Sequence, residues 1–174
     1  PIDYENVHCS LLQKLLFRIM YGRQAQYEEQ LIKTGLRSKN DFTCTCYLSE
    51  VGNTPKSGQI LAWSESSAVV FANSVLGART NRNSAGIDLL CNILGKAPLF
   101  GLLTDKGRQA NWLVEIKTSK LPNAQLLGSA IGMKVVEDVP FICGLDHFFA
   151  ESNVNINDYL KDMGAASASN GAVG

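Results

Sequence analysis

The chain has 174 residues, enough to bury one good core and short for two independent domains. Its composition, 45% hydrophobic and 18% charged, is that of an ordinary globular protein and excludes fibrous, low-complexity and collagen-like classes. Lys+Arg and Asp+Glu number 16 each, so no net field exists to hold a polyphosphate backbone or an anionic membrane surface; neither nucleic acid nor membrane is an expected partner, and any anion site must be local.

The five cysteines, Cys9, Cys44, Cys46, Cys91 and Cys143, are odd in number and lack disulfide-framework spacing, which fits a reducing, cytoplasmic setting. The apolar run from Leu11 to Met20 is interrupted by Gln13, Lys14 and Arg18, far short of the ~20 apolar residues that span a bilayer. The sequence opens on Pro1 and closes on Ala172-Val173-Gly174. Residues 1–174 are therefore expected to be a single α/β domain taken from a longer polypeptide.

From Ser10, apolar residues at Leu11, Leu12, Leu15, Leu16, Ile19 and Met20 have the spacing of one buried helix face, with Gly22 placed to end it. A second, more exposed helix is expected from Gln24 to Lys33, stopping at Gly35. Asp41 to Leu48 reads as a short strand running into a loop, Ser49 to Gln59, which Ile60-Leu61-Ala62-Trp63 closes.

Ser64 is the expected N-cap of a helix through Leu76, with Glu65 complementing the dipole in its first turn. Ala68, Val69, Val70, Phe71, Ala72, Val75 and Leu76 make it apolar nearly all round, so it must be buried. Gly77 ends it, and Arg79 to Ser84 forms a polar tip. Ala85 to Leu94 is a further helix, capped by Ser84 and stopped by Gly95.

Pro98 to Leu103 and Asn111 to Lys117 read as strands, an antiparallel pair across the turn at Asp105-Lys106-Gly107. A short helix from Ala124 to Ile131 ends at Gly132, Val135-Val136 and Val139 to Cys143 bracket a further strand, and Asn157 to Met163 is helical. Gly164 to Gly174, rich in small residues, is expected to be flexible or to lead into a strand. Alternating strands and helices imply a layered α/β domain with a mixed, mostly parallel sheet. In such folds ligands collect at strand ends beside helix N-termini, where the Cys44 run and the Arg79 tip both fall.

Cys44 and Cys46 lie two apart and share one face of an extended strand. One C-x-C falls short of the three or four ligands an iron or zinc site needs. Cys46 reads as a small buried hydrophobe and Cys44 stays open between that role and a ligand. Redox-active thiols at both positions are a further alternative that needs an exposed, low-pKa thiolate. Arg79-Thr80-Asn81-Arg82 sets two guanidinium groups, an amide and a hydroxyl side by side, chemistry suited to a carboxylate or phosphate. The bland alternative is a solvated turn. Ser66, Ser67, Asn73 and Ser74 on an otherwise apolar helix favour a ligand, against backbone carbonyls one turn back as the competing partners. Asp146-His147, beside Phe148 and Phe149, reads as structural rather than as an acid/base couple. G-x-S-x-G, P-loop, G-x-G-x-x-G and H-E-x-x-H motifs do not occur.

Several runs together carry a resemblance: Cys44-Thr45-Cys46-Tyr47-Leu48, the Gly52-Asn53-x-Pro55 loop, Ala62 to Val69, Phe71 to Arg82, and Gly95 to Leu102. They resemble the large catalytic part of the aconitase X family, a branch of the aconitase superfamily. The resemblance implies an aconitase-like fold and a hydro-lyase that removes water from a small hydroxy-carboxylate such as a hydroxyproline or phosphomevalonate. It implies an iron or iron-sulfur centre acting as a Lewis acid on the departing hydroxyl, with Cys44 as first metal ligand. By position Ser66, Ser67, Asn73, Arg79, Thr80 and Asn81 would line the substrate pocket, Arg79 clamping the anionic group. It also implies a small swivelling domain or subunit as partner, bringing the serine assigned as base.

Two departures limit what is carried over. Cys46 stands where the family has proline in Cys-Thr-Pro-Tyr, and the downstream Gly-Cys-Pro motif that supplies further ligands is not present in the 174 residues. No catalytic residue is therefore assigned here, and the dehydratase is expected to be incomplete and inactive as this chain alone. The alternative from another class is a non-enzymatic module of the same fold that binds a small anion or packs against a subunit.

Overall fold

The computed structural model describes residues 10–35, 45–151 and 153–173. The chain divides into two compact units, Pro1–Cys46 and Tyr47–Gly174. In the first, helix α1 spans Leu11–Lys33. Ser10 caps it reciprocally: the Gln13 N–H donates to Ser10 Oγ at 3.4 Å and the Ser10 N–H donates to Gln13 Oε1 at 3.0 Å. The two helices expected on either side of Gly22 are one. An interior glycine costs a helix only about 1 kcal/mol relative to alanine, and it ends one only by turning left-handed. Gly35, at φ +118°, does so just past the Thr34 cap. The apolar stripe expected to be buried is exposed, from Leu11 at 90% to Met20 at 62%. The strand expected over Asp41 to Leu48 lies largely outside the described residues, and its described end, Thr45 to Leu48, is a turn and bend.

In the second unit, a 3-10 turn at Ser49–Val51 precedes helix α2, Ser66–Ser74. Its N-cap is Glu65, not Ser64: the carboxylate reaches over the first turn and accepts from the Ala68 N–H at 2.7 Å. Ala68, Val69 and Ala72 are fully buried, as an all-round apolar helix requires. The helix ends at Ser74, and left-handed Gly77 turns the chain, where a Cβ would meet Ser57 Oγ at 2.9 Å. Helix α3, Ala85–Leu94, is capped by Ser84 and stopped by Gly95 as expected.

The first of the two expected antiparallel strands does not form. Gly101 to Leu103 is a 3-10 turn, because Pro98 lacks a ladder donor and Gly101 sits at φ +55°, incompatible with extended backbone. A second 3-10 turn, Lys106–Arg108, follows. Strand β1, Trp112–Glu115, pairs instead in parallel with β2, Pro140–Cys143, in register from Trp112 opposite Pro140 to Glu115 opposite Cys143.

The crossover between them carries helix α4, Ala124–Val135. It runs through Gly132, because Gly128 and Gly132 are where helix α6, Ile156–Ser169, approaches most closely. The short helix α5, Asp146–Glu151, lies between β2 and α6. Gly164 to Ser169, expected to be flexible, forms the last turns of α6, its small residues permitting contact with α4 and with Val70 of α2. Buried Leu145, Tyr159 and Met163 anchor one core cluster, with Ile116, Leu127 and Phe149 packed on it. The fold is thus α/β, helix-rich, with a small parallel sheet among the described residues. No described helix is long and apolar enough to cross a membrane.

Candidate functional site

The candidate residues converge because two distant segments run side by side. Past Gly77 the chain lies parallel to residues 59–63: the Arg79 N–H donates to Gln59 O at 2.8 Å, and the Leu61 N–H to Arg79 O at 2.9 Å. The Trp63 N–H then donates to Thr80 Oγ1 at 3.2 Å, and that hydroxyl donates to Asn81 O at 3.1 Å. Thr80 is fully buried and Asn81 8% exposed, so what sequence allowed as a solvated turn is interior, with Arg82 exposed beyond it.

Asn73, near the C-terminus of α2, is the hub. Its Nδ2 donates to Val69 O at 3.0 Å and to Thr80 O at 2.9 Å, and its Oδ1 accepts from the Thr80 N–H at 3.1 Å. Arg108 completes it, donating to Asn73 Oδ1 at 2.8 Å, Asn73 O at 2.9 Å and Ala78 O at 3.1 Å. Asn81 spans the next loop, donating to Phe100 O at 3.0 Å and accepting from the Leu102 N–H at 2.8 Å. A Cβ on Gly101 would stand 2.7 Å from Asn81 Oδ1, so this bridge requires glycine twice over, for space and for its left-handed backbone.

Arg79 is half-buried. It donates to Leu103 O at 3.2 Å and pairs with the exposed Asp105 carboxylate at 2.5 Å. Ser66 and Ser67, half-buried in the first turn of α2, donate to the Glu65 carboxylate at 3.4 and 2.6 Å. The six residues anticipated from sequence therefore divide by partner. Asn73, Thr80 and Asn81 hold backbone, Ser66 and Ser67 hold Glu65, and Arg79 alone among them is paired with an exposed charge.

Arg108, Asp105 and the capping role of Glu65 emerge only from the fold. Arg108 and Asn73 are 35 positions apart, and no local pattern links an arginine after a turn to an amide on a helix. Burial lowers the Arg108 pKa, the Arg79 charge lowers it further, and Asp105 acts in the opposite direction. Arg108, Asn73, Ser74 and Ser167 line a cavity of about 380 Å³ together with apolar residues such as Phe71, Ile131 and Met163.

Cys44 lies outside the described residues. Cys91 is buried, and the half-buried Cys143 donates its Sγ–H to Val114 O at 3.7 Å, both consistent with packing roles. Among the described residues no three His, Cys, Asp or Glu side chains converge to hold a metal ion. The described donor set therefore does not by itself fit an iron or iron-sulfur centre.

Comparison with known proteins places the chain in a family. The chain is 39% identical over 133 residues to the phosphomevalonate dehydratase large subunit of Thermococcus kodakarensis, covering 75% of this chain and 32% of that protein. It is 37% identical over 135 residues to the cis-3-hydroxy-L-proline dehydratase of Pseudomonas aeruginosa, covering 76% of this chain and 22% of the relative. The crystal structure of Thermococcus kodakaraensis aconitase X in its holo-form superposes with a TM-score of 0.63 at 39% identity, over 75% of this chain and 32% of that one. The chain thus spans about one third or less of the length of these relatives. Residues 9–106 match the model of the aconitase X first domain, and the chain belongs to the aconitase X family.

Proposed function

We propose that this chain is one part of a longer hydro-lyase large subunit, supplying the wall of the substrate pocket that holds the anionic group of a small hydroxy-carboxylate. The relatives named as phosphomevalonate and cis-3-hydroxy-L-proline dehydratases support the reaction class and offer the two substrates to try first. The observation that carries the reading is Arg79: its guanidinium is oriented by a backbone carbonyl, Leu103 O, and already carries a carboxylate, that of Asp105. Ser66 and Ser67 of the first turn of α2 are the further ligand contacts in this reading, while Asn73, Thr80 and Asn81 keep the backbone beside Arg79 in place through their hydrogen bonds.

In this reading Cys44 supplies one ligand to an iron or iron-sulfur centre whose other ligands come from outside these 174 residues. The small subunit or swivelling domain is the partner that completes the site, and the setting is cytoplasmic. Isothermal titration with phosphomevalonate and with cis-3-hydroxy-L-proline tests the pocket. Binding of one of them, lost in Arg79→Ala and partly restored in Arg79→Lys, is the expected result. Equal affinity in all three proteins would remove Arg79 from the site.

A further inference from the structure

Strand β2 keeps one edge without a neighbouring strand. The Trp112 N–H donates to Val139 O at 3.4 Å and the Ile116 N–H to Cys143 O at 2.9 Å, which sets the phase of the parallel ladder. Val139, Phe141 and Cys143 therefore turn their peptide groups toward β1. The carbonyl of Pro140 and the N–H and C=O of Ile142 point the other way, and they meet no hydrogen-bond partner among the described residues. Pro140, which has no N–H to donate, suits the first position of a strand.

The cavity of about 380 Å³ runs along this edge. Val139, Pro140, Phe141 and Ile142 all line it, whereas no residue of β1 does. Successive residues of a strand point to opposite faces, so a consecutive run borders one space only along the strand's edge. Phe71 of α2, Val75 just past it, and Met163 and Gly164 of α6 are among the other lining residues. Of the polar residues there, Arg108 and Asn73 are already engaged with each other, leaving Ser74 and Ser167. Such a lining offers a small molecule few groups to fix its orientation. It suits the apolar side chains of a strand.

The same sheet has an apolar face without cover. Leu113 and Phe141 are register partners, so they stand side by side on one face, and they are 66% and 62% exposed. Parallel sheets are ordinarily covered on both faces, and two strands alone make a marginal sheet. The relatives have polypeptide to spare for the task, since this chain spans 32% of one dehydratase and 22% of the other.

We propose that the free edge of β2, with the cavity along it, receives a further β-strand from the part of the large subunit that lies outside these 174 residues. That strand bonds to the peptide groups of Pro140 and Ile142 and sets apolar side chains into the cavity, the edge supplying affinity and the cavity selecting the side chains. The inference concerns assembly of the subunit and stands apart from the role of Arg79.

The test follows backbone amide exchange of the full chain by NMR, with a capped peptide of alternating valine and threonine, about six residues long, as the strand probe. The peptide is expected to slow exchange at Ile142 about five- to tenfold, the effect of one net hydrogen bond, and to leave Leu113 on the outer edge of β1 unchanged. Ala110→Phe, which narrows the cavity, is expected to abolish that protection. Val75→Trp makes the same demand from another lining position, so the outcome does not rest on one variant folding. The proposal is overturned by absence of protection in the parent chain, by equal protection of Leu113, or by protection retained in both variants. Protection of Ile142 that rises with chain concentration in the absence of peptide overturns it too, and assigns the edge to a second copy of this chain.

Discussion

Asn73 and Thr80 are joined by two hydrogen bonds of opposite sense: Asn73 Nδ2 donates to Thr80 O at 2.9 Å, and the Thr80 N–H donates to Asn73 Oδ1 at 3.1 Å. The side-chain amide thereby takes the place of a neighbouring strand's peptide. It satisfies both backbone groups of a fully buried residue that has no ladder partner on that side. The same amide reaches back to Val69 O and accepts from Arg108, so the end of α2 is locked to the segment that carries Arg79.

Truncating that amide is expected to be costly. Asn73→Ala leaves the Thr80 N–H and C=O unpaired in the interior and frees Arg108, and each orphaned buried group costs about 1–3 kcal/mol. A loss of about 3 kcal/mol in urea-derived stability is expected, with faster hydrogen exchange at the Thr80 amide. Asn73→Asp, which keeps the acceptor for Thr80 and Arg108 but loses the donor, should fall between the two. A change below about 1 kcal/mol for Asn73→Ala would mean that the hub is not structural.

Three interior helix glycines should respond to alanine, one with the opposite sign to the other two. At Gly22 of α1 a Cβ meets nothing within 4 Å, so the propensity gain of about 1 kcal/mol appears as increased helicity by circular dichroism. At Gly132 of α4 a Cβ would lie 2.5 Å from Ser167 O, and at Gly128 it would lie 2.1 Å from Met163 O, both backbone atoms of α6. Gly128→Ala and Gly132→Ala are expected to lower the melting temperature despite the better propensity, since overpacking costs about 1–3 kcal/mol. Stabilisation by either would contradict the close approach of α4 and α6.

Tyr159 makes stability depend on alkaline pH. Its hydroxyl donates to Pro122 O at 2.9 Å in a largely buried position, and burial raises its pKa above the ordinary 10.0. The folded protein therefore keeps this proton at a pH where the unfolded chain has released it. The stabilisation is complete below pH 10.0 and is lost progressively as pH rises toward the folded-state value. Unfolding free energies measured across this range should decline with pH, and Tyr159→Phe should flatten that slope. An unchanged slope would locate the dependence elsewhere.

Local elements were readable wherever chemistry next to the chain sets them. Ser84 and Gly95 bracket α3 where their side-chain and backbone preferences place them. The burial of α2 follows from its apolar perimeter alone. The resemblance drawn from Cys44 to Leu102 agrees with the family match over residues 9–106. Readings failed where a residue's local habit was weak or was overruled by something distant. Gly22 suggested a helix stop, yet an interior glycine costs a helix too little to end it, and Gly132 stays helical where α6 packs against it. Pro98 to Leu103 had the hydrophobicity of a strand, yet Gly101 is turned left-handed under Asn81 and the segment coils.

Sequence supplied the candidates for the site: an arginine, three amide or hydroxyl groups and two serines on or after one apolar helix. Its motifs also carried the family resemblance, which the match over residues 9–106 bears out. Only tertiary structure decided how they divide their work. Asn73, Thr80 and Asn81 became framework because each faces buried backbone groups that must be paired, whereas Arg79 came to rest against the exposed carboxylate of Asp105. Arg108 entered the site solely through the fold, since hydrogen bonds between positions 35 apart leave no periodic trace in the chain that forms them.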